Sequence, residues 1–370
     1  MNKRNFLSVN LTYFLMLTLF VVIRILSNLK LLSFFGEHSS YIINLIIQVG
    51  IMFLIPVVVT TFVKNQNFSK TFQQFSFKAI SFKEILIAIA LGLIVFVLNI
   101  FVSTLFAFIF ALFGYTAGSS SSVGADANLI TLIVNLVFVA ILPAICEETA
   151  HRGMLLSSLK PLGMKKAILF SALFFGLIHL NINQFPFAFL VGLLLGCVTL
   201  FSRSIVPAMI IHFLNNGISV YLEYASAKNL FLGNFNSIVN KLFFSGNIFT
   251  NFVFILAAIC LLGYLTINLL KALLKINAER SMKGYLNNLA LHQLRQETLG
   301  DIATDKNQFP SLAEMLKNRT QPVKVEIPYE ALGFYMTPVT RLTSLEKTFF
   351  FASIILGSII TFFTFVWGII

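Results

Sequence analysis

Long apolar stretches dominate this chain and restrict what it can fold into. Nine of them reach about the twenty residues that a helix needs to cross the hydrocarbon core of a bilayer. Hydrophobic residues make up 58% of the sequence and charged residues 11%, whereas a soluble domain carries about 25% charge. The sequence therefore predicts an all-α polytopic membrane protein. The predicted spans are roughly 6–28, 41–62, 85–113, 129–159, 165–181, 185–202, 205–222, 248–271 and 347–369.

Basic residues alternate along the connections between these spans. The N-terminus and the second, fourth and sixth connections carry most of them, and the odd-numbered connections carry fewer. Because loops rich in Lys and Arg stay on the cytoplasmic side, the N-terminus is predicted to be cytoplasmic and the C-terminus, after nine spans, outside. The bases concerned are Lys3, Arg4, Lys64, Lys70, Lys78, Lys83, Lys160, Lys165, Lys166 and Arg203.

Two other classes of protein fit this sequence poorly. The net charge is +12, but the aromatic residues lie within the apolar stretches, so no nucleic-acid-binding surface is expected. The three cysteines, Cys146, Cys197 and Cys260, also lie in apolar stretches and form no CxxC pattern. A disulfide framework and a thiolate zinc site are therefore not expected either.

One long polar segment interrupts the apolar pattern. We predict three regions: a transmembrane core of eight spans over 1–271, a cytoplasmic segment over 272–346, and a ninth transmembrane helix over 347–370. The middle segment is interpreted as a linker with partial helix, since Tyr285, Leu286, Leu289 and Leu294 favour a short amphipathic helix. The alternative is a module that docks a soluble or membrane partner.

Six acidic residues lie outside residues 277–346, and two of them, Glu147 and Glu148, are adjacent within an apolar stretch. A charge inside the bilayer costs about 2.5–3.5 kcal/mol, so this pair requires an explanation. On a helix that continues to Leu159, Glu148 and Arg152 are four residues apart and face each other. Arg152 would then neutralise Glu148 and leave Glu147 near water as a base. The alternative is an ion pair that only holds helices together.

Three further polar residues lie in neighbouring apolar stretches: His179, His212 and Asn216. At 1.5 Å per residue, they lie about 21, 14 and 20 Å from the cytoplasmic end of their helices, and Glu147 lies about 18 Å from its own. The sequence therefore predicts that three spans bring these polar groups to a similar depth.

Such a cluster suits the hydrolysis of an acyl bond, most naturally a peptide bond. In one arrangement Glu147, His179 and His212 ligate zinc and leave an open position for water. In the other, Glu147 and His179 activate water directly, while His212 and Asn216 donate hydrogen bonds to the developing oxyanion. The spacing of the residues leaves both arrangements open.

Three motifs follow one another on separate apolar stretches. They are EExxxR from Glu147 to Arg152, FxxxH from Phe175 to His179, and HxxxN from His212 to Asn216. Together they resemble the CAAX-protease and bacteriocin-processing family of intramembrane proteases, which includes the eukaryotic Ras-converting type. The resemblance covers about residues 136–220. It implies an eight-helix intramembrane protease core, with the ninth span as an extra C-terminal helix.

The resemblance also implies roles for the motif residues. Glu147 corresponds to the water-activating carboxylate, and His179 to its partner. Glu148 and Arg152 correspond to a supporting pair. No cofactor is certain, but the family has been described both as metal-dependent, possibly with zinc, and as using a metal-free glutamate mechanism.

The third motif and one departure from the pattern complete the expected site. His212 and Asn216 correspond to the residues that stabilise the oxyanion, with His212 as a metal ligand if a metal is bound. His151 stands where the family commonly has an aromatic residue. It is a third nitrogen ligand, a second base or, the interpretation that we favour, a hydrogen-bonded neighbour of Glu147.

The predicted function is that of an intramembrane endopeptidase. Its partners would be the lipid bilayer and a peptide or membrane-protein substrate, which enters from the cytoplasmic side or laterally. The composition is typical of a bacterium with an A/T-rich genome, which favours a secreted peptide precursor or a membrane protein over a prenylated protein. The alternative is a non-proteolytic scaffold or regulator, such as an immunity or cell-envelope factor, that binds a partner through residues 272–346.

Overall fold

The structure is a computed structural model that describes residues 4–32, 36, 38–115, 128–243, 246–301 and 342–369. Within these ranges the chain forms helices joined by turns and contains no strand. The predicted all-α polytopic fold is confirmed. The helices are α1 (Arg4–Asn28), α2 (Ser39–Val63), α3 (Phe68–Gln74), α4 (Phe82–Ala111), α5 (Leu129–Leu162), α6 (Met164–Leu177), α7 (Phe185–Ser202), α8 (Val206–Lys228), α9 (Phe235–Phe243), α10 (Ile248–Asp301) and α11 (Ser344–Trp367).

Seven helices in the described ranges are long and apolar enough to cross a membrane, namely α1, α2, α4, α5, α7, α10 and α11. The other two predicted spans correspond to α6 and α8, which fall short for different reasons. α6 has 14 residues and is only about 21 Å long, because the chain turns after Leu177. α8 has 23 residues, but His212, Asn215, Asn216 and Glu223 make it too polar to count as an apolar span.

The basic connections meet at one end of the helix bundle, which we call the basic end. Ser204 Oγ donates a hydrogen bond to the carbonyl oxygen of Lys78 (2.6 Å), and the Ile205 amide donates to that of Ser76 (3.0 Å). Phe75 is fully buried beneath this connection and packs against Gly153 of α5, where a Cβ atom would lie only 3.0 Å from the ring carbon Cγ of Phe75. The basic end is therefore closed by apolar packing.

The opposite end of the bundle, which we call the far end, is formed by residues 112–115, 178–184 and 364–369. Asn183 Nδ2 donates a hydrogen bond to the hydroxyl of Tyr115 (2.6 Å). The Ile182 amide donates to Thr364 Oγ1 (2.9 Å), and the ring of Phe365 stacks on that of Tyr115. These contacts bring the connection between α6 and α7 together with the end of α11.

The last helix, α11, packs closely on the helices that carry the site. It begins with a capping box in which Thr343 and Glu346 satisfy each other's backbone amides. Phe350 is buried edge-on against Phe174 of α6. Gly357 allows a close approach to Leu177, because a Cβ atom would lie 2.9 Å from Leu177 Cβ. α11 is therefore an integral part of the described bundle, although the sequence treats it as an addition to an eight-helix core.

The chain divides into two compact units, one formed by Met1–Leu273 with Pro338–Ile370 and the other by Leu274–Thr337. α10 runs without a break from Ile248 to Asp301, so the start of the polar segment continues the helix of the eighth predicted span. The side chains of Tyr285, Leu286, Leu289 and Leu294 lie outside the described part of the chain. So do residues 302–341 and 116–127.

Candidate active site

A polar cavity of about 580 Å³ lies in the bundle between α4, α5, α8 and the α6–α7 connection. Glu147, His179, His212 and Asn216 all line it, although they come from three different helical segments. Glu147 and His212 are 8% and 6% exposed, and His179 and Asn216 are half-buried. The structure therefore brings the four predicted residues to one hollow within the bundle.

Two segments of π-helix flank the acidic pair in α5, over Leu136–Ile141 and Thr149–Leu156. A π-helix widens the turn and changes which side chains share a face, and such segments occur often at functional sites. Pro143 lies just after the first segment. Proline has no backbone N–H to donate, and this position in the helix tolerates that absence. Between the two segments, Glu147 lines the cavity while Glu148 is fully buried among the helices.

Glu148 forms a buried ion pair with Arg152 on the next turn of α5. Arg152 Nη1 lies 3.0 Å from Glu148 Oε1, and both side chains are fully buried. The other guanidinium nitrogen, Nη2, donates to the carbonyl oxygen of Gly192 (3.4 Å). That contact requires glycine, because a Cβ atom at position 192 would lie 2.8 Å from Ala172 Cα. Arg152 also lies over the ring of Phe175, 4.2 Å from its centroid, which adds a cation–π contact.

His212 connects the two glutamates. Its Nδ1 atom lies 2.9 Å from Glu148 Oε1, and because a carboxylate only accepts, Nδ1 carries the hydrogen and donates. The other nitrogen, Nε2, lies 4.0 Å from Glu147 Oε2. Glu148 therefore fixes the orientation of His212 and leaves Nε2 facing the catalytic candidate Glu147.

Glu147 is held by a residue that the sequence analysis did not identify. Gln48, in the π-helical part of α2, donates from Nε2 to Glu147 Oε1 at 2.8 Å and is 7% exposed. The second carboxylate oxygen, Oε2, is buried without a hydrogen-bond partner in the described part of the chain. One oxygen of Glu147 is thus fixed, and the other is left for water or substrate.

His179 lies two residues beyond the end of α6, at the far end of the site. Its carbonyl oxygen accepts a hydrogen bond from Arg24 Nη1 of α1 (3.0 Å). The next residue, Leu180, is buried with φ +48°, a left-handed conformation that costs a leucine about 1–3 kcal/mol. The turn after His179 is therefore held in a strained conformation by its surroundings, as often happens at functional sites.

The ring of Phe175 is the packing centre of the site. It makes edge-to-face contacts with the rings of His151, His179 and His212, at centroid distances of 5.1, 5.4 and 5.8 Å. The first residue of the FxxxH motif therefore positions the imidazoles of all three motif segments.

Asn216 is tied to the first π-helical segment of α5. Its Nδ2 donates to the carbonyl oxygen of Val139 (3.0 Å), and its Oδ1 accepts from Asn215 Nδ2 (2.9 Å). The amide nitrogen has a second hydrogen, which remains for another acceptor. Asn216 can therefore still donate one hydrogen bond into the cavity that it lines.

His151 does not line the cavity. It is fully buried, with Nδ1 2.8 Å from the carbonyl oxygen of Glu147 and Nε2 3.3 Å from the hydroxyl of Tyr13. Because a carbonyl only accepts, Nδ1 donates, and in the neutral ring Nε2 accepts. This arrangement supports the interpretation of His151 as a hydrogen-bonded neighbour of Glu147.

The described residues give no evidence of a metal centre at Glu147, His179 and His212. In the part of the chain that the structure describes, no group of three or more His, Cys, Asp or Glu side chains is placed to hold a metal ion. His212 has one nitrogen committed to Glu148, and the other lies 4.0 Å from the Glu147 carboxylate. We therefore derive no step through a metal.

Several contributors to the site lie outside the three motifs. Tyr13, Asn44, Gln48, Asn99 and Asn215 are polar residues within predicted apolar spans and contact or line the site. Asn44 and Gln48 are four residues apart, so they share one face of a helix, and this spacing was a usable signal in the sequence.

The fold and the site define an all-α membrane protein with a buried, polar, carboxylate- and imidazole-lined cavity. Residues 129–218 match the family model of the Type II CAAX prenyl endopeptidase Rce1-like proteins. The match covers 90 of the 370 residues and contains all three motifs, so this part of the chain is similar to the CAAX-type intramembrane proteases that the motifs indicated. No curated protein and no solved structure matched the chain.

Proposed function

We propose that the protein is an intramembrane endopeptidase that uses Glu147 to activate water for attack on a peptide bond. The observation that carries this proposal is the unequal environment of the two glutamates. Each carboxylate has one oxygen without a hydrogen-bond partner in the described chain. Glu148 is fully buried and paired with Arg152, whereas Glu147 lines the cavity and is held by Gln48. A base must reach its proton, and only Glu147 can reach one in the cavity.

The first step is the attack of water on the scissile carbonyl carbon. A water molecule within hydrogen-bond distance of Glu147 Oε2 gives its proton to that oxygen as the new C–O bond forms. The amine that leaves takes this proton as the C–N bond breaks, which gives one carboxyl and one amine product. His179 lines the same cavity and is proposed to orient the water and relay this proton.

The oxyanion of the tetrahedral intermediate requires hydrogen-bond donors. Asn216 supplies its second amide hydrogen. His212 donates Nδ1–H to Glu148, so it can donate from Nε2 only when it is protonated. The carboxylate of Glu148 stabilises that imidazolium. Glu147, Glu148 and Arg152 together carry a net charge of −1, and one proton on His212 makes the buried cluster neutral.

A cellular experiment separates this proposal from a scaffold. Glu147→Ala and His179→Ala should each abolish cleavage of the physiological substrate, with the protein still present in the membrane. His38→Ala is the matched control, because His38 is exposed and lies outside the cavity. If both cavity variants support the full cellular phenotype, the protein does not act as a protease.

A deletion provides the complementary test. Removal of residues 277–346 should preserve hydrolysis if the cavity performs the function. The same deletion abolishes the function if the protein acts as a scaffold through that segment. A protease should lose its function in the cavity variants and keep it after the deletion, whereas a scaffold should do the reverse. Together the two experiments assign the function to one region of the chain.

A further inference from the structure

We propose that the peptide substrate enters the site from the far end of the bundle and lies extended in a polar groove between α4 and α8. The inference rests on the proposed proteolytic function. It departs from the expectation that substrate enters from the cytoplasmic side or laterally. It also names the chemical class of the ligand, which is an extended polypeptide segment recognised through its main chain.

The groove consists of two cavities that meet. The first is the 580 Å³ cavity that contains Glu147, and the second has a volume of about 650 Å³ and reaches α9. Asn99, Ser103 and Ser219 line both of them. The second cavity continues along α8 past Glu223, so the two adjacent cavities extend along α8 away from Glu147.

The lining that the two cavities share belongs to a chain of hydrogen-bonded polar side chains. Ser103 Oγ donates to Asn99 Oδ1 (2.9 Å), and Asn99 Nδ2 donates to Asn215 Oδ1 (3.4 Å). The chain continues through Asn216 to the carbonyl oxygen of Val139. Each carboxamide has two amide hydrogens and two acceptor lone pairs, so these side chains can also pair with the amides and carbonyls of a bound peptide.

Unpartnered acceptors at the inner end of the groove also point to a ligand. Asn44 and Glu147 line the inner cavity, and Gln48 is bonded to Glu147. Their atoms Asn44 Oδ1, Glu147 Oε2 and Gln48 Oε1 are buried and have no hydrogen-bond partner among the described residues. A buried acceptor without a partner costs about 1–3 kcal/mol. Water or the N–H groups of a peptide would satisfy all three atoms.

The length of the groove sets the length of the peptide. His212 and Glu223 are eleven residues apart on α8, which corresponds to about 17 Å along the helix axis. An extended chain advances about 3.3 Å per residue. The groove therefore accommodates about five substrate residues on one side of the scissile bond.

The direction of the groove follows from the ends of its helices. Ser103 lies eight residues before the end of α4, about 12 Å from the far end. Asn183 and Gln184, in the far-end connection, also line the inner cavity. Towards the basic end the site is closed by the fully buried side chains of Phe75, Leu155, Leu156 and Leu159. Because basic loops stay in the cytoplasm, the open end faces the outer side of the membrane.

Thiol accessibility tests the direction of entry without any activity assay. Ser103→Cys and Ser219→Cys are made in full-length protein whose three native cysteines are replaced by alanine. A membrane-impermeant maleimide is then applied to intact cells and to inverted vesicles. Both thiols should react in cells and not in inverted vesicles. Ser69→Cys, exposed in the basic connection before α4, should show the reverse pattern. Labelling of the groove thiols from the same side as position 69 would overturn the proposal.

The dependence of cleavage on peptide length tests whether a peptide substrate occupies the groove. The purified protein is first given a quenched-fluorescence peptide library, and one cleaved sequence is then shortened stepwise on each side of the scissile bond. On one side, shortening below five residues should lower kcat/KM at least about tenfold. Ser226 lines only the second cavity, so Ser226→Trp should lower cleavage of the long peptide at least about tenfold more than cleavage of the shortest cleaved peptide.

A control variant on α4 shows whether an added tryptophan has a general effect on cleavage. Leu93→Trp adds the same ring on α4 at an exposed position that lines neither cavity, and it should leave both peptides unaffected. Equal effects of Ser226→Trp on long and short peptides would refute the groove and leave the protease intact. Complete absence of cleavage in the unsubstituted protein would instead contradict the proposed function, and the accessibility result would still decide the direction of entry.

Discussion

Glu147 and Glu148 are neighbours in the chain, but they lie in opposite environments. Around Glu148 the protein is dry and paired, with Arg152 and His212 both within 3.0 Å of one oxygen. Glu147 lines the polar cavity and accepts a hydrogen bond from Gln48. We call these the sealed side and the open side. In the proposed mechanism one motif supplies both a structural charge and a reactive one, and the following predictions separate the two.

Substitution on the open side should affect turnover and spare stability. His179→Asn removes the imidazole that we place beside the activated water. It is expected to lower kcat about 10²–10⁴-fold, the usual contribution of a positioned acid or base. Peptide cleavage by the purified protein measures this effect. An equal loss in the control His38→Asn, or a loss of less than threefold in His179→Asn, would contradict the role of His179.

Substitution on the sealed side should affect stability first. Glu148→Gln leaves the buried Arg152 without its carboxylate, and breaking a buried ion pair costs about 3–5 kcal/mol in the free energy of unfolding. Equilibrium unfolding in mixed micelles measures the change. The paired variant Glu147→Gln should alter this free energy by no more than about 1 kcal/mol. Equal losses of unfolding free energy in Glu148→Gln and Glu147→Gln would contradict the assignment of a structural role to Glu148 alone.

Gln48 lies on the open side as a positioning residue. Gln48→Met removes a hydrogen bond to a charged group, which is worth about 1.5–3 kcal/mol, so kcat should fall about 10- to 100-fold. KM should change little, because the substrate is not bound by Gln48 in this account. Gln48→Asn, which is too short to reach Glu147, should behave like Gln48→Met. Full activity in both variants would show that Glu147 does not need the hydrogen bond from Gln48.

His151 lies on the sealed side and should matter least for the reaction. His151→Phe restores the aromatic residue that the family commonly has and removes the contacts to Tyr13 and the Glu147 carbonyl oxygen. We expect a loss of about 1–3 kcal/mol in stability, because buried polar groups lose their partners. Turnover should stay within tenfold of the unsubstituted protein. A loss as large as that of His179→Asn would make His151 a second base.

Much of this arrangement could be predicted because charge and polarity are costly in a membrane. Glu147, His179, His212 and Asn216 stand out from their apolar surroundings, and their helical spacing places them at a similar depth. The helix that continues beyond Glu148 to Leu159 was also predicted, and α5 confirms it. The opposite roles of the two glutamates followed from the four-residue spacing of Glu148 and Arg152, and the ion pair is present.

Other features depend on packing that the sequence does not reveal. The π-helical segments of α2 and α5 result from close helix contacts and place Gln48 and the Val139 carbonyl in the site. A single amide such as Gln48 in an apolar span has several possible partners, so its pairing with Glu147 could not be deduced. The continuity of α10 was missed for another reason. A change from apolar to polar composition marks the membrane boundary but does not by itself end a helix, and many residues after Lys271 in this segment, such as Ala, Leu, Lys, Arg, Gln and Glu, favour helix.

The central claim is that Glu147 performs the chemistry and Glu148 the support. The most direct measurement compares single-turnover cleavage by Glu147→Gln and by the unsubstituted protein, with equilibrium unfolding of both samples. We predict that Glu147→Gln keeps its stability and its binding of the peptide but loses cleavage by at least about 10³-fold. Cleavage by Glu147→Gln at a rate near that of the unsubstituted protein would contradict the account.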